Sequence, residues 1–157
     1  MAKPTRQTTI SRTFFVTSST WERRALFQSE RMAKLFVDVL LHYREEGRFL
    51  LHEFTLLPDH FHLLLTPDSG ISLERAMQFI KGGYSFRAAK ELGFKGEVWQ
   101  RGFTDHRVRE ARDFEAHRQY IWQNAVKRGL ALKPEEYPYC SAFPGLPLDG
   151  PPVNLRG

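Results

Sequence analysis

The sequence predicts an α+β domain built on an antiparallel sheet, with two crossover helices on one face and a third helix left to cover the other. Three observations carry this. Strand-length segments rich in β-branched and aromatic residues alternate with longer amphipathic segments of helical period. Two of the strand segments meet across a Pro-Asp turn. The whole chain is 157 residues long, about the size of one domain.

In order, residues 8–17 (TTISRTFFVT) read as a first strand, without Gly or Pro. From Trp21 to Glu46, Leu26, Leu35, Phe36, Val39, Leu40 and Tyr43 recur at helical spacing, and Gly47 ends the helix. Residues 48–57 (RFLLHEFTLL) and 60–66 (HFHLLLT) form a hairpin around Pro58-Asp59. Ser72 opens a second amphipathic helix carrying Leu73, Met77, Ile80, Tyr84 and Ala88, with Gly82-Gly83 as a weak point in its middle. Residues 97–109 are a fourth strand with an irregular start near Gly102. Residues 111–128 are a last helix, stopped by Gly129. The order β-α-β-β-α-β-α is ferredoxin-like (βαββαβ) with one added helix. Residues 1–133 make the domain, and the Pro-rich segment 134–157 is expected to be an extended, partly disordered tail.

Lys and Arg number 23 against 18 Asp and Glu, a net charge of +5 that favours a polyanionic partner, nucleic acid before an anionic membrane. The surplus is local. Residues 75–128 carry 12 basic and 6 acidic side chains, whereas residues 1–74 carry 9 of each. A single cysteine, Cys140, excludes an internal disulfide and a thiolate zinc cluster. No signal-peptide core or membrane-length apolar run is visible, so a cytoplasmic protein is expected, nucleoid-associated if nucleic acid is the partner.

Alternate side chains of a strand share a face, so His60 and His62 point the same way and Phe61 points opposite. Two neutral imidazoles on a rigid strand make a clip for a divalent ion. Taken alone, the pair reads first as half-exposed sheet histidines. In the last helix Tyr120 and Asn124 are one turn apart on one stripe, and that helix is free to lie over the histidine face.

Three segments, Leu57-Pro58-Asp59-His60-Phe61-His62-Leu63-Leu64-Leu65, residues 98–106 (VWQRGFTDH) and residues 120–130 (YIWQNAVKRGL), together resemble the single-tyrosine HUH transposases. Within these, the chain is most similar to the IS200-like group and its REP-associated tyrosine transposase branch, over about residues 8 to 142 in the family's order. The resemblance implies that His60, His62 and Asn124 hold Mg²⁺ or Mn²⁺ and that Tyr120 is the nucleophile. It implies cleavage and rejoining of single-stranded or hairpin DNA through a 5′-phosphotyrosine, without ATP. One departure stands in the helix, which reads Asn124-Ala125-Val126 where the family often has Asn-Pro-Val.

Lys81, Arg87, Lys90, Arg101, Arg107, Arg109 and Arg118 are the candidates for DNA backbone contacts. Trp99, Phe103 and Trp122 suit core filling better than base stacking, and His117, His52 and His106 suit packing or surface positions better than catalysis. Tyr43, Tyr84, Tyr137 and Tyr139 lack an amide one turn on. Two other readings stay open: a non-catalytic hairpin-binding module on the same sheet, and a hydrolase using water. A monomer and a homodimer are equally compatible with the sequence.

Overall fold

The computed structural model describes residues 11–156. Its main elements are β1 (Thr13–Ser19), α1 (Glu30–Glu45), β2 (Phe49–Leu57), β3 (His60–Pro67), α2 (Leu73–Leu92), β4 (Thr104–Val108) and α3 (Ala111–Lys127). The strands lie in the order β2-β3-β1-β4, every pair antiparallel. This is the expected βαββαβ arrangement with α3 added.

The two sheet faces divide the apolar residues by parity. Phe61, Leu63 and Leu65 of β3 join the core beneath α1 and α2. Within it the rings of Phe36, Phe61, Tyr84 and Trp99 touch at centroid separations of 4.9–5.9 Å. Leu64, of opposite parity, joins a second core with Leu57 and Val108, closed by Phe114, Ile121 and Ala125 of α3. The Gly pair expected to weaken α2 has a packing role at Gly83. A Cβ there would stand 2.5 Å from the Tyr43 hydroxyl, so glycine at this position makes room for the tip of the Tyr43 ring against α2.

Residues 8–10 of the first expected strand lie outside the described residues, and within these the strand begins at Thr13. Two other expectations change. The helix expected from Trp21 begins only at Glu30, where Ser29 caps it by accepting from the Met32 N–H. Before it lie two single turns, Trp21–Arg23 and Leu26–Gln28. Glu22 and Arg23 have φ near +55°, and the N–H groups of Thr20, Trp21 and Phe27 donate to the distant carbonyls of Asp59, Val98 and Pro58. Those long-range bonds win over the helical ladder. The fourth strand is shorter than residues 97–109, because Gly102 at φ +81° breaks it. Lys81 Nζ donates to the carbonyls of Gln100 (3.0 Å) and Gly102 (2.7 Å) and fixes that turn.

The Pro-rich segment, expected as a partly disordered tail, is instead laid along the outer edge of β2 as far as Asp149, and Leu155 beyond it packs into the second core against α3. Leu56 N–H donates to Tyr139 O and Ser141 N–H to Phe54 O, each at 2.8 Å, and the Tyr137 hydroxyl donates to Leu56 O at 2.6 Å. Asp149 accepts from Leu51 N–H and from the Arg44 guanidinium. An unpaired strand edge is a strong acceptor of such partners, which local composition does not reveal.

Candidate active site

The sheet face beneath α3 carries the histidine pair. His60 and His62 are each only 4% exposed, and His62 sits in register between Thr17 of β1 and Thr55 of β2. Each ring is anchored through Nδ1: His60 to Asp59 Oδ1 at 2.7 Å, His62 to Thr17 Oγ1 at 2.7 Å. Arg23 in turn holds the other oxygen of Asp59 at 3.2 Å. Outer partners of this kind fix the ring orientation and tautomer of a ligating histidine. Among the described residues, His62 Nε2 is buried with no hydrogen-bond partner.

Burial pushes the His62 pKa down to about 3, helped by the positive fields of His60 and Arg128. Burial also lowers His60, against the pull of Asp59. Both imidazoles are therefore neutral near pH 7, the form that binds metals. An orphaned, desolvated ring nitrogen beside a second anchored imidazole fits a divalent cation, since burying it unpaired is otherwise costly.

Tyr120 is 46% exposed, and its ring meets His62 edge-on at 5.2 Å and Phe15 at 5.9 Å. Asn124, one turn on, is buried, but its Oδ1 accepts from Arg128 Nε at 3.0 Å. The oxygen expected to face an ion thus already carries one charged donor, leaving its other lone pair. The helix runs unbroken through Ala125, where the family often has proline. Glu53 of β2 clamps α3: its Oε1 accepts from Trp122 Nε1 at 2.7 Å and from Ser141 Oγ at 2.6 Å, and burial raises its pKa.

A profile of IS200-like transposases matches residues 12–124, a span that holds the histidine pair, Tyr120 and Asn124. The chain belongs to the IS200-like transposase family. It is 29% identical over 96 residues to a Haemophilus influenzae protein provisionally named a REP-associated tyrosine transposase, a match covering 55% of this chain and 54% of that one. The chain thus spans about half the length of that relative. It is 22% identical over 135 residues to the REP-associated tyrosine transposase of Escherichia coli K12, covering 82% of this chain and 79% of the relative. Among solved structures, a REP-associated tyrosine transposase bound to a REP hairpin superposes with TM-score 0.65 at 24% identity, covering 90% of this chain and 82% of that one. A Deinococcus radiodurans protein provisionally described as a transposase superposes with TM-score 0.52 at 19% identity, covering 76% and 95%. Both share the fold.

Of the basic residues singled out in this IS200-like chain, several are already engaged. Lys81 holds the turn at Gly102, and burial lowers its pKa to about 8. Arg87 pairs with Glu91 and Asp38, Arg118 with Glu115, and Lys90 lies over the Phe86 ring. Arg101 and Arg109 are exposed, and Arg107 stands among Arg12 and Arg109 near the start of α3. Trp99 fills the core, Trp122 is partly buried on Glu53, and Phe103 packs at the core margin.

Sequence reasoning passed over Asp59, Thr17, Glu53 and Arg128. Asp59 and Arg128 left a trace, lying next to His60 and one turn beyond Asn124. Thr17 and Glu53 reach their partners only across strands. His106 and His117, read singly as packing or surface residues, are joined by Asp113. Among the described residues these three bring metal-ligating atoms within 4.8 Å of one another, a group able to hold a metal. No helix among the described residues is long and apolar enough to cross a membrane.

Proposed function

We propose that this chain is a metal-dependent transposase and endonuclease that cleaves and rejoins single-stranded hairpin DNA through a 5′-phosphotyrosine on Tyr120, with His60, His62 and Asn124 as ligands of Mg²⁺ or Mn²⁺. The observation that carries this reading is the exposed Tyr120 phenol lying against His62, whose Nε2 is buried and unpartnered. The relatives named as REP-associated tyrosine transposases, one solved on a REP hairpin, support a hairpin substrate. Because Tyr120 stands beside the histidines of its own chain, the geometry favours catalysis in cis by a monomer over exchange in a homodimer.

When bound, the ion would supply Lewis-acid polarisation of a non-bridging phosphate oxygen. The protein's own groups do the rest. Tyr120 Oη gives up its proton and forms the new bond to phosphorus, the P–O3′ bond breaks, and the departing 3′-oxygen takes up a proton, so that none is gained or lost overall. The reverse attack by a 3′-hydroxyl rejoins the strand and restores the phenol, so bond energy is conserved and no nucleotide cofactor is needed. Phe15 backs the phenol, Asp59 and Thr17 hold the imidazoles in one tautomer, and the Arg128 guanidinium adds positive potential beside a developing phosphorane. Arg101, Arg107 and Arg109 are the residues best placed to follow the DNA backbone, with Lys81, Arg87 and Arg118 behind them because other partners hold them.

The test is incubation with a single-stranded DNA hairpin and Mg²⁺ or Mn²⁺, read on a denaturing gel beside Tyr120→Phe and His62→Ala. A covalent adduct is expected in the parent alone. Cleavage that persists in Tyr120→Phe would replace this reading with a hydrolase using water, and tight binding without cutting would replace it with a hairpin-binding module.

A further inference from the structure

One layer beyond the tyrosine, β4 and the first turns of α3 bring together a second set of metal-ligating side chains. His106 Nε2 lies 2.7 Å from Asp113 Oδ2, and His117 Nδ1 lies 3.1 Å from Asp113 Oδ1. The two imidazole rings stack at 5.0 Å and 28°. Asp113 and His117 are four apart on α3, hence on one face, and β4 delivers His106 to that face at the position opposite Phe15.

We propose that His106, Asp113 and His117 form a separate site for a late first-row divalent cation, of the Zn²⁺ or Co²⁺ kind, with open positions toward solvent. The proposal does not rest on the cleavage reading, because none of these residues takes part in it. Two imidazoles and one carboxylate are the donor set of open zinc and related transition-metal sites. Bonds of about 2.0–2.2 Å need donors roughly 3–4 Å apart. One atom from each residue already lies within 4.8 Å of the others. Closing the set takes rotation of His106, whose side chain is 54% exposed, and release of the hydrogen bonds that His106 Nε2 makes to the Asp113 carboxylate and His117 Nδ1 makes to the Asp113 backbone carbonyl at 2.9 Å. His117 is held by Phe15, 4.5 Å between ring centres, so one ligand is fixed before an ion arrives.

The surrounding charge sharpens the choice of ion. Arg107, Arg109 and Arg112 line the same shallow hollow with Glu110. Their guanidiniums oppose a bare dication, so a hard ion held by charge alone is disfavoured and an ion bonded strongly by imidazole is retained. The exposed side of such an ion is free for water or an anionic oxygen. Phe15 separates this cluster from His62, with which its ring stacks at 5.3 Å, so the two sites are distinct and fill independently.

The experiment uses the full, untagged chain carrying His60→Ala and His62→Ala, stripped with chelator and titrated with Co²⁺ by equilibrium dialysis and visible absorption. The expected result is one Co²⁺ per chain with ligand-field bands, lost on adding His117→Ala and weakened at least about tenfold by His106→Ala. Absence of stoichiometric binding overturns the proposal, as does binding indifferent to both substitutions. If the double variant fails to fold, the parent protein serves. Two Co²⁺ per chain falling to one in the exposed-site variant His106→Ala supports the second site, and an unchanged count refutes it.

Discussion

Substituting His62 by Asn in metal-free protein gives a stability difference that depends on pH in a calculable way. The ring has an ordinary value of 6.5 when the chain is unfolded, and burial holds it at about 3 when folded. Because the folded value is the lower one, the stability conferred by a neutral His62 is whole above about pH 6.5. It is lost progressively as pH falls toward 3. At pH 5.0 the unfolded ring is nearly all protonated while the folded ring is nearly all neutral, so His62 alone removes about 2 kcal/mol, against roughly 0.1 kcal/mol at pH 7.5. Urea unfolding in chelator at the two pH values measures this. His52 and His60, whose pKa values burial also lowers, titrate in both proteins and cancel in the comparison. With urea slopes of about 1–3 kcal/mol/M, the parent midpoint should fall by about 1 M more than that of His62→Asn between pH 7.5 and 5.0. Equal shifts in the two proteins would refute the claim that the site desolvates this imidazole.

Three further outcomes follow from the packing. Glu53→Leu leaves the Trp122 N–H and the Ser141 hydroxyl without their acceptor and should cost about 2–4 kcal/mol in denaturant unfolding. Glu53→Gln, which keeps an oxygen there, should cost less. The raised pKa of Glu53 means that its ionised form burdens the fold, so the parent's stability relative to Glu53→Gln should decline as pH rises above about 4.5. Gly83→Val drives a side chain into Tyr43 and should destabilise the α1–α2 contact by about 1–3 kcal/mol, partly relieved by adding Tyr43→Ala. Arg128→Ala frees Asn124 Oδ1 and removes a positive charge beside both imidazoles, so Mn²⁺ affinity measured by electron paramagnetic resonance should rise. A fall would show that Arg128 aids ion binding instead of competing with it.

The fold was legible wherever burial imposes a period. The alternation along β3 and the helical stripes of α1, α2 and α3 lie where the sequence puts them, because each has one face on a core. Residues 21–28 misled because their apolar spacing suits a helix while their N–H groups find carbonyls on distant loops. The Pro-rich segment misled because prolines suggest an extended chain but say nothing of the strand edge that holds one. At the candidate site, the imidazole pair and the phenol with its amide were readable as strand and helix spacings. The partners that orient them were less so. Thr17 lies 45 residues from His62 and Glu53 lies 69 from Trp122, separations only the folded sheet closes. Asp113 and His117 carry an i,i+4 spacing that was visible, but their link to His106 depends on the pairing of β4 with β1.

The central claim, that the phenol of Tyr120 is the group that joins to DNA, is tested most directly by mass spectrometry. After reaction with a hairpin oligonucleotide and Mn²⁺, nuclease trimming and proteolysis, the peptide spanning Tyr120 should carry a nucleotide attached through phosphate to that residue. A nucleotide found on any other residue, or an unmodified Tyr120 peptide from protein that has demonstrably cut its DNA, would contradict the account.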